Sequence, residues 1–151
     1  MEFVTYTKEF LDLSSTWLSD PEIRQLTLTP HFDRSDQIKF FESLPFRTNY
    51  WIKGIREKGV PIGAMGLKNI DLKLRTAEYW GYIGEKSYWG KRLGKLIIDK
   101  AINKAVSLQL DSIYLKVGRS NMRAIGLYEK MGFTLKQEEN NILKYELELC
   151  N

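Results

Sequence analysis

Cysteine is nearly missing from this chain. Its 151 residues hold one, Cys150, so no internal disulfide can form and no thiolate cluster can bind zinc. Histidine is equally scarce: His31 stands alone in the turn-like stretch Thr29-Pro30-His31-Phe32-Asp33 and reads as a solvated loop side chain. Any Ser-His or Cys-His mechanism would have to run through it. No apolar run approaches the roughly 20 residues of a membrane span. The opening Met1-Glu2-Phe3-Val4-Thr5-Tyr6 carries an acidic residue and no apolar signal-peptide core. The chain is therefore expected in the cytoplasm, with no membrane partner and no metal. The four prolines are scattered and there is no repeat or linker, so residues 1–151 are expected to form one domain.

The composition is that of a folded globular protein, with 43% hydrophobic and 28% charged residues. A net charge of +4 favours anionic partners without choosing among nucleic acid, membrane surface and phosphorylated small molecules. The lysines are spread along the chain and no nucleic-acid recognition motif is visible, which disfavours nucleic acid.

Periodicity gives the outline. Glu2 to Tyr6 reads as a short strand and Lys8 to Leu18 as a helix, with Phe10, Leu11, Leu13, Trp17 and Leu18 near a 3.6 period. Asp20-Pro21-Glu22 marks a helix start, with Asp as cap and Pro in the first turn. Asp33 or Ser35 caps a further helix through Ile38, Phe40, Phe41 and Leu44. Tyr50 to Ile55 and Val60 to Leu67 read as a hairpin around Lys58-Gly59. A polar stretch from Asn69 to Arg75 precedes a third strand, about Ala77 to Ile83. A long helix is expected from about Gly90 to Leu108, its Leu93, Leu96, Ile97, Ala101, Ala105 and Leu108 on one face.

Ser112 to Val117 then follows as a strand without a hairpin turn before it, which implies a β-helix-β crossover and parallel pairing. Asn121 to Met131 reads as a shorter helix, and Phe133 to Lys136 with Ile142 to Leu149 as a closing hairpin. The fold class is α+β (α/β mixed): a central twisted mixed β-sheet flanked by helices.

One segment carries the chemistry. In Tyr82-Ile83-Gly84-Glu85-Lys86-Ser87-Tyr88-Trp89-Gly90-Lys91-Arg92-Leu93-Gly94-Lys95, a strand ends, a turn rich in Gly and basic residues follows, and a helix begins. The first amides of a helix lack intrahelical partners and sit at the positive end of its dipole. Glycines let a phosphate approach them, and Lys91, Arg92 and Lys95 add charge, so this loop is a candidate pyrophosphate cradle. It is neither a Walker A loop nor a dinucleotide fingerprint. A helix start that merely carries turn glycines and solvated lysines accounts for it equally well.

A second segment shifts that balance. Gly90-Lys91-x-x-Gly94 after a strand, then Asn121-x-x-Ala124-x-x-Leu127-Tyr128-Glu129-Lys130-x-Gly132-Phe133, resembles the GNAT acyltransferase family. The stretch Trp17 to Arg24, followed by a helix and Tyr50-Trp51, resembles the bacterial subgroup acting on amino sugars, polyamines or protein N-termini. The family loop, Gln/Arg-x-x-Gly-x-Gly/Ala, maps onto Trp89 to Gly94, with Arg92 in place of the central glycine. A helical N-terminal turn has φ < 0 and accepts arginine there, so the loop is expected to be intact.

The resemblance implies a GNAT-like sheet and an acetyl-CoA-dependent N-acetyltransferase, transferring acetyl to a primary amine by direct attack in a ternary complex. It implies that Tyr82, Ile83 and Gly84 pair with the pantetheine arm and polarise the thioester through a backbone amide. Trp89, Gly90, Lys91, Arg92, Leu93, Gly94 and Lys95 would surround the pyrophosphate, and Asn121 the pantetheine. Asn121 is equally natural as a helix cap. Tyr128 would protonate the departing thiolate, and its bland alternative is packing against Ile125 and Leu127.

Acyl transfer also needs a deprotonated amine. Glu78 is the first candidate base and Glu85 the next, although a glutamate at a strand start is ordinarily just solvated. The acceptor stays open among a nucleotide-linked amino sugar, another small amine, a polyamine and a protein N-terminus; a homodimer is compatible with all of these. Trp17, Phe32, Tyr50, Trp51, Tyr79 and Trp80 are candidates to stack on an acceptor, and Arg24, Arg34 and Arg47 to meet a phosphate on it. The rivals from other classes are a non-catalytic acyl-CoA-binding domain and a nucleic-acid binder.

Overall fold

The computed structural model describes residues 1–149, so Cys150 lies outside the described residues. In chain order the elements are β1 (Glu2–Val4), α1 (Lys8–Ser19), α2 (Pro21–Leu26), α3 (Arg34–Ser43), β2 (Trp51–Glu57), β3 (Val60–Asp71) and β4 (Thr76–Ile83). They continue as α4 (Gly94–Ser107), β5 (Ser112–Gly118), α5 (Met122–Lys130), β6 (Thr134–Glu139) and β7 (Ile142–Glu148). The seven strands form one sheet in the order β1-β2-β3-β4-β5-β7-β6. Every neighbouring pair is antiparallel except β4–β5, which is parallel and joined through α4. This is the mixed sheet with a single crossover that the element order predicts.

Local chemistry explains the boundaries. The Asp20 side chain accepts hydrogen bonds from the amides of Glu22 (2.9 Å) and Ile23 (3.3 Å), and Pro21 opens α2 where a missing N–H costs nothing. Asp33 and Asp36 form a reciprocal capping box on α3. Both tight hairpins turn through left-handed pairs, Lys58-Gly59 (φ 49° and 82°) and Asn140-Asn141 (φ 52° and 63°), matching the twist of the flanking strands.

Two apolar clusters cover the two faces of the sheet. Ala64 of β3 packs with Phe10, Leu11, Trp17 and Ile23 beneath α1 and α2. Its neighbours Met65 and Leu67 pack with Ile97, Ile98 and Ala101 of α4 and with Ile125 of α5. Among the described residues no helix is long and apolar enough to cross a membrane, and no group of three or more His, Cys, Asp or Glu side chains converges to hold a metal.

Three expectations need correction. α4 begins at Gly94 rather than near Gly90, because Gly90 (φ 76°) and Arg92 (φ 62°) both adopt left-handed backbone that a helix excludes. Leu96 is 49% exposed and does not share the buried face of Ile97, Ala101 and Ala105. The return strand does not end at Leu67: β3 runs on to Asp71 across a bulge at Asn69 (φ 52°).

Candidate active site

The site is made by a fork in the sheet. β4 and β5 pair only through Thr76–Ser112, Ala77–Ile113 and Glu78–Tyr114. Beyond that point β4 stays on β3 through Ile83, and β5 stays on β7 through Gly118. The strands therefore diverge, leaving backbone edges between them that no strand covers.

Two chambers open from this fork. One, of about 720 Å³, lies under α4 and α5, with Ile83, Trp89, Ile97, Arg123, Ala124 and Leu127 in its walls. The other, of about 730 Å³, lies on the side of α1 and α3, with Ser14, Phe32, Tyr50, Asn69, Glu78 and Trp80 in its walls. Tyr79, Gly81, Tyr82, Asn121 and Tyr128 line both, so the chambers meet where the strands part.

The loop at the mouth of the first chamber has the chemistry of an anion cradle. Ile97 is the first residue of α4 whose amide bonds back into the helix, to the Leu93 carbonyl, and the N-cap Leu93 supplies no side-chain cap. The amides of Gly94, Lys95 and Leu96 thus lack helical partners at the positive end of a 14-residue helix. Gly90, Arg92, Leu93, Gly94 and Lys95 line the chamber with Trp89, whereas Lys91 does not. Lys95 is drawn to Asp99 at 2.9 Å, one turn along α4. The Trp89 indole N–H donates to the Ile83 carbonyl at 2.8 Å, stitching the loop to the end of β4.

The two loop glycines do different work. At Gly90, φ 76° excludes most side chains, while a Cβ would meet only Arg123 Nη2 at 3.9 Å. At Gly94 a Cβ would fall 2.8 Å from Leu127 Cδ2, so this glycine lets α4 approach α5. Of the three β4-end residues implied to meet the pantetheine arm, Tyr82 and Ile83 line the chamber. The Gly84 amide is already committed to the Ile62 carbonyl at 2.7 Å.

Arg92 departs from expectation. Its φ of 62° is positive, where a non-glycine residue costs about 1–2 kcal/mol. Arg92→Gly should remove that cost and return roughly half of it as entropy of the unfolded chain. We expect net stabilisation of about 0.5–1 kcal/mol, a rise of roughly 2 °C in Tm for a chain of this size. A fall in Tm by differential scanning fluorimetry would show that the Arg92 side chain stabilises the loop more than its backbone strains it.

At the junction, Tyr128 projects from α5 with its ring 5.8 Å from that of Phe133. Burial pushes its phenol up to about 12, so it stays protonated and able to donate throughout the range in which amines titrate. Asn121 caps α5, its side-chain oxygen accepting from the Ala124 amide at 3.4 Å, and it lines both chambers as well. The phenols of Tyr82 (3.0 Å) and Tyr6 (2.8 Å) both donate to the buried Ser14 hydroxyl. Burial raises the pKa of each.

The two candidate bases part company. Glu78 sits at the fork in the wall of the second chamber and is only 8% exposed, not solvated as its strand-start position suggests. Asn69 Nδ2 donates to its Oε1 at 3.1 Å. Glu85 accepts from the Trp17 indole at 2.9 Å and ties α1 to the loop after β4.

Of the aromatics, Phe32, Tyr50, Tyr79 and Trp80 line the second chamber. Trp17 is core, and Trp51 lies beneath Lys104. Arg34 pairs with Asp12, and Arg47 stacks on Phe40 (5.6 Å) and Tyr50 (5.4 Å). His31 is exposed.

The model of the acetyltransferase (GNAT) family matches residues 13–133, most of the chain. The chain belongs to the GNAT acetyltransferase family. N-alpha-acetyltransferase 30 of Dictyostelium discoideum is 34% identical to this chain over 58 residues, which cover 36% of this chain and 31% of that one. The match thus spans about a third of that relative's length.

Spermidine N-acetyltransferase from Vibrio cholerae, solved with CoA and spermine, superposes with a TM-score of 0.86 at 18% identity, covering 97% of this chain and 94% of that chain. Campylobacter jejuni N-acetyltransferase PseH with acetyl coenzyme A gives 0.76 at 18% identity, covering 97% of each chain. At such identities the likeness is one of fold, and this chain's forked sheet is a GNAT sheet.

Sequence reasoning passed over Arg123, Asn69 and Ser14. Arg123 brings a guanidinium to the first chamber from the first turn of α5. Its position two residues after a helix cap was a usable signal. Nothing local marks Ser14, whose partners lie 8 and 68 residues away.

Proposed function

We propose that this protein is an acetyl-CoA-dependent N-acetyltransferase that transfers acetyl to a primary amine by direct attack within a ternary complex. The observation that carries the reading is the meeting of two chambers at Tyr128. The first has uncapped helix amides and Arg123 for a pyrophosphate, and an apolar lining for a pantetheine arm. The second holds Glu78 for the amine. In the reaction the amine nitrogen attacks the thioester carbonyl carbon and the C–S bond breaks. Tyr128 donates its proton to sulfur, and Glu78 takes the proton the amine loses.

For the acceptor we favour a small amine or peptide N-terminus over a nucleotide-linked sugar. The second chamber sets Asp36 and Glu78 against Lys68 and Lys116, which leaves no surplus positive charge for phosphates. Arg34, an arginine expected to face them, is held by Asp12. An acetyl-CoA-dependent screen read by mass spectrometry, covering polyamines, peptide N-termini, amino sugars and their nucleotide conjugates, tests this. Acetylation confined to the nucleotide conjugates would overturn it.

The pH dependence has a definite sign. An ammonium has no lone pair, so the rate should rise from neutral toward alkaline pH as the free amine accumulates. Tyr128, held up to about 12, loses no proton in that range and imposes no alkaline fall. A flat profile with chemistry rate-limiting would contradict the need for amine deprotonation.

A further inference from the structure

In a regular strand successive side chains alternate faces, so Asn69 would point away from the face that Lys68 shares with its cross-strand partner Glu78. The register of β3 on β4 breaks this rule. Lys68 pairs with Glu78 and Asp71 with Thr76, so Asn69 and Ile70 together face the single residue Ala77. Asn69 takes φ 52°, a conformation asparagine tolerates better than most residues. The bulge turns its carboxamide back toward Glu78, where Nδ2 donates to Oε1 at 3.1 Å.

The second carboxylate oxygen, Oε2, lies 3.9 Å from Lys68 Nζ, beyond hydrogen-bonding distance. Tyr114 faces Glu78 from β5 at the last pairing before the fork, and Tyr50 faces it across the chamber. Lys144 of β7 lies over the Tyr114 ring at 4.6 Å.

We propose that Asn69 is a positioning residue: its bulge-held carboxamide occupies Glu78 Oε1 and so presents Oε2 to the acceptor amine. The free amine attacks the thioester carbonyl carbon, its nitrogen passes one proton to Oε2 as the C–N bond forms, and the C–S bond breaks as sulfur takes the Tyr128 proton. This rests on Glu78 as the base in the reading above. A glutamate has several rotatable bonds, and without the carboxamide only the Tyr114 phenol and the more distant Lys68 ammonium are left to aim its carboxylate.

Asn69→Gly tests it cleanly, because glycine keeps the left-handed backbone and removes only the carboxamide. With the amine most readily acetylated in the screen, kcat should fall about 10-fold, the equivalent of one charge-assisted hydrogen bond, with KM for acetyl-CoA unchanged. In a Glu78→Gln background the same substitution should change kcat by less than about twofold. Asn69→Asp tolerates the same backbone but sets a second carboxylate against Glu78. It should lose more activity than Asn69→Gly, because the two carboxylates repel each other out of the aimed geometry. Wild-type kcat in Asn69→Gly, or an equal fall in the Glu78→Gln background, would overturn the inference while leaving Glu78 as base. Wild-type kcat in Glu78→Gln would overturn the base assignment itself.

Discussion

Replacing Tyr128 with phenylalanine is expected to lower kcat by about 10²–10⁴-fold, the usual contribution of a general acid, while leaving acetyl-CoA affinity nearly unchanged. Phenylalanine keeps the ring against Phe133 and deletes only the hydroxyl. That hydroxyl matters as charge develops on sulfur, not when the thioester is simply bound. A coenzyme A thiolate is a fair leaving group, with a pKa near that of a free cysteine, roughly 8.5, so the reaction should slow without stopping. Burial that holds the Tyr128 phenol at about 12 also keeps it a donor at every pH where the amine reacts. Stopped-flow thiol release separates chemistry from product release. An unaltered kcat with chemistry rate-limiting returns Tyr128 to a packing role.

Gly94→Glu should weaken acetyl-CoA binding by about 10²-fold or more. A carboxylate about 5 Å from a phosphate costs roughly 3 kcal/mol at an effective dielectric of 20. The new side chain also meets Leu127 Cδ2, which a Cβ alone would approach to 2.8 Å. Folding should survive, because glutamate is a good helix former and is favoured in a helix's first turn. Gly94→Ala isolates the bulk: Leu127 presents only a methyl group, so affinity should fall little. Isothermal titration of both variants decides the matter, and unchanged affinity in a folded Gly94→Glu protein would place the cosubstrate elsewhere.

Much of this was legible in the sequence because its signals are local. The Asp20-Pro21 cap, the Lys58-Gly59 turn and the parallel crossover through α4 all follow from neighbouring residues. What was not legible depends on tertiary context. The positive φ of Arg92 delays α4 to Gly94, and arginine carries no propensity that announces it. The bulge at Asn69 lies in a polar stretch past the expected strand end at Leu67, yet it lets β3 continue to Asp71. Glu85 looks like a free carboxylate until Trp17, 68 residues away, is seen to donate to it. The division into two chambers was equally invisible, since it follows from where the pairing of β4 and β5 ends.

The central claim is that two substrates meet at the fork beside Tyr128. Its most direct test is initial-rate kinetics of thiol release with acetyl-CoA and the acceptor amine varied together. Direct transfer in a ternary complex predicts intersecting double-reciprocal lines and no thiol release beyond background without amine. Parallel lines, with a stoichiometric burst of thiol and an acetylated enzyme by mass spectrometry in the absence of amine, would contradict it.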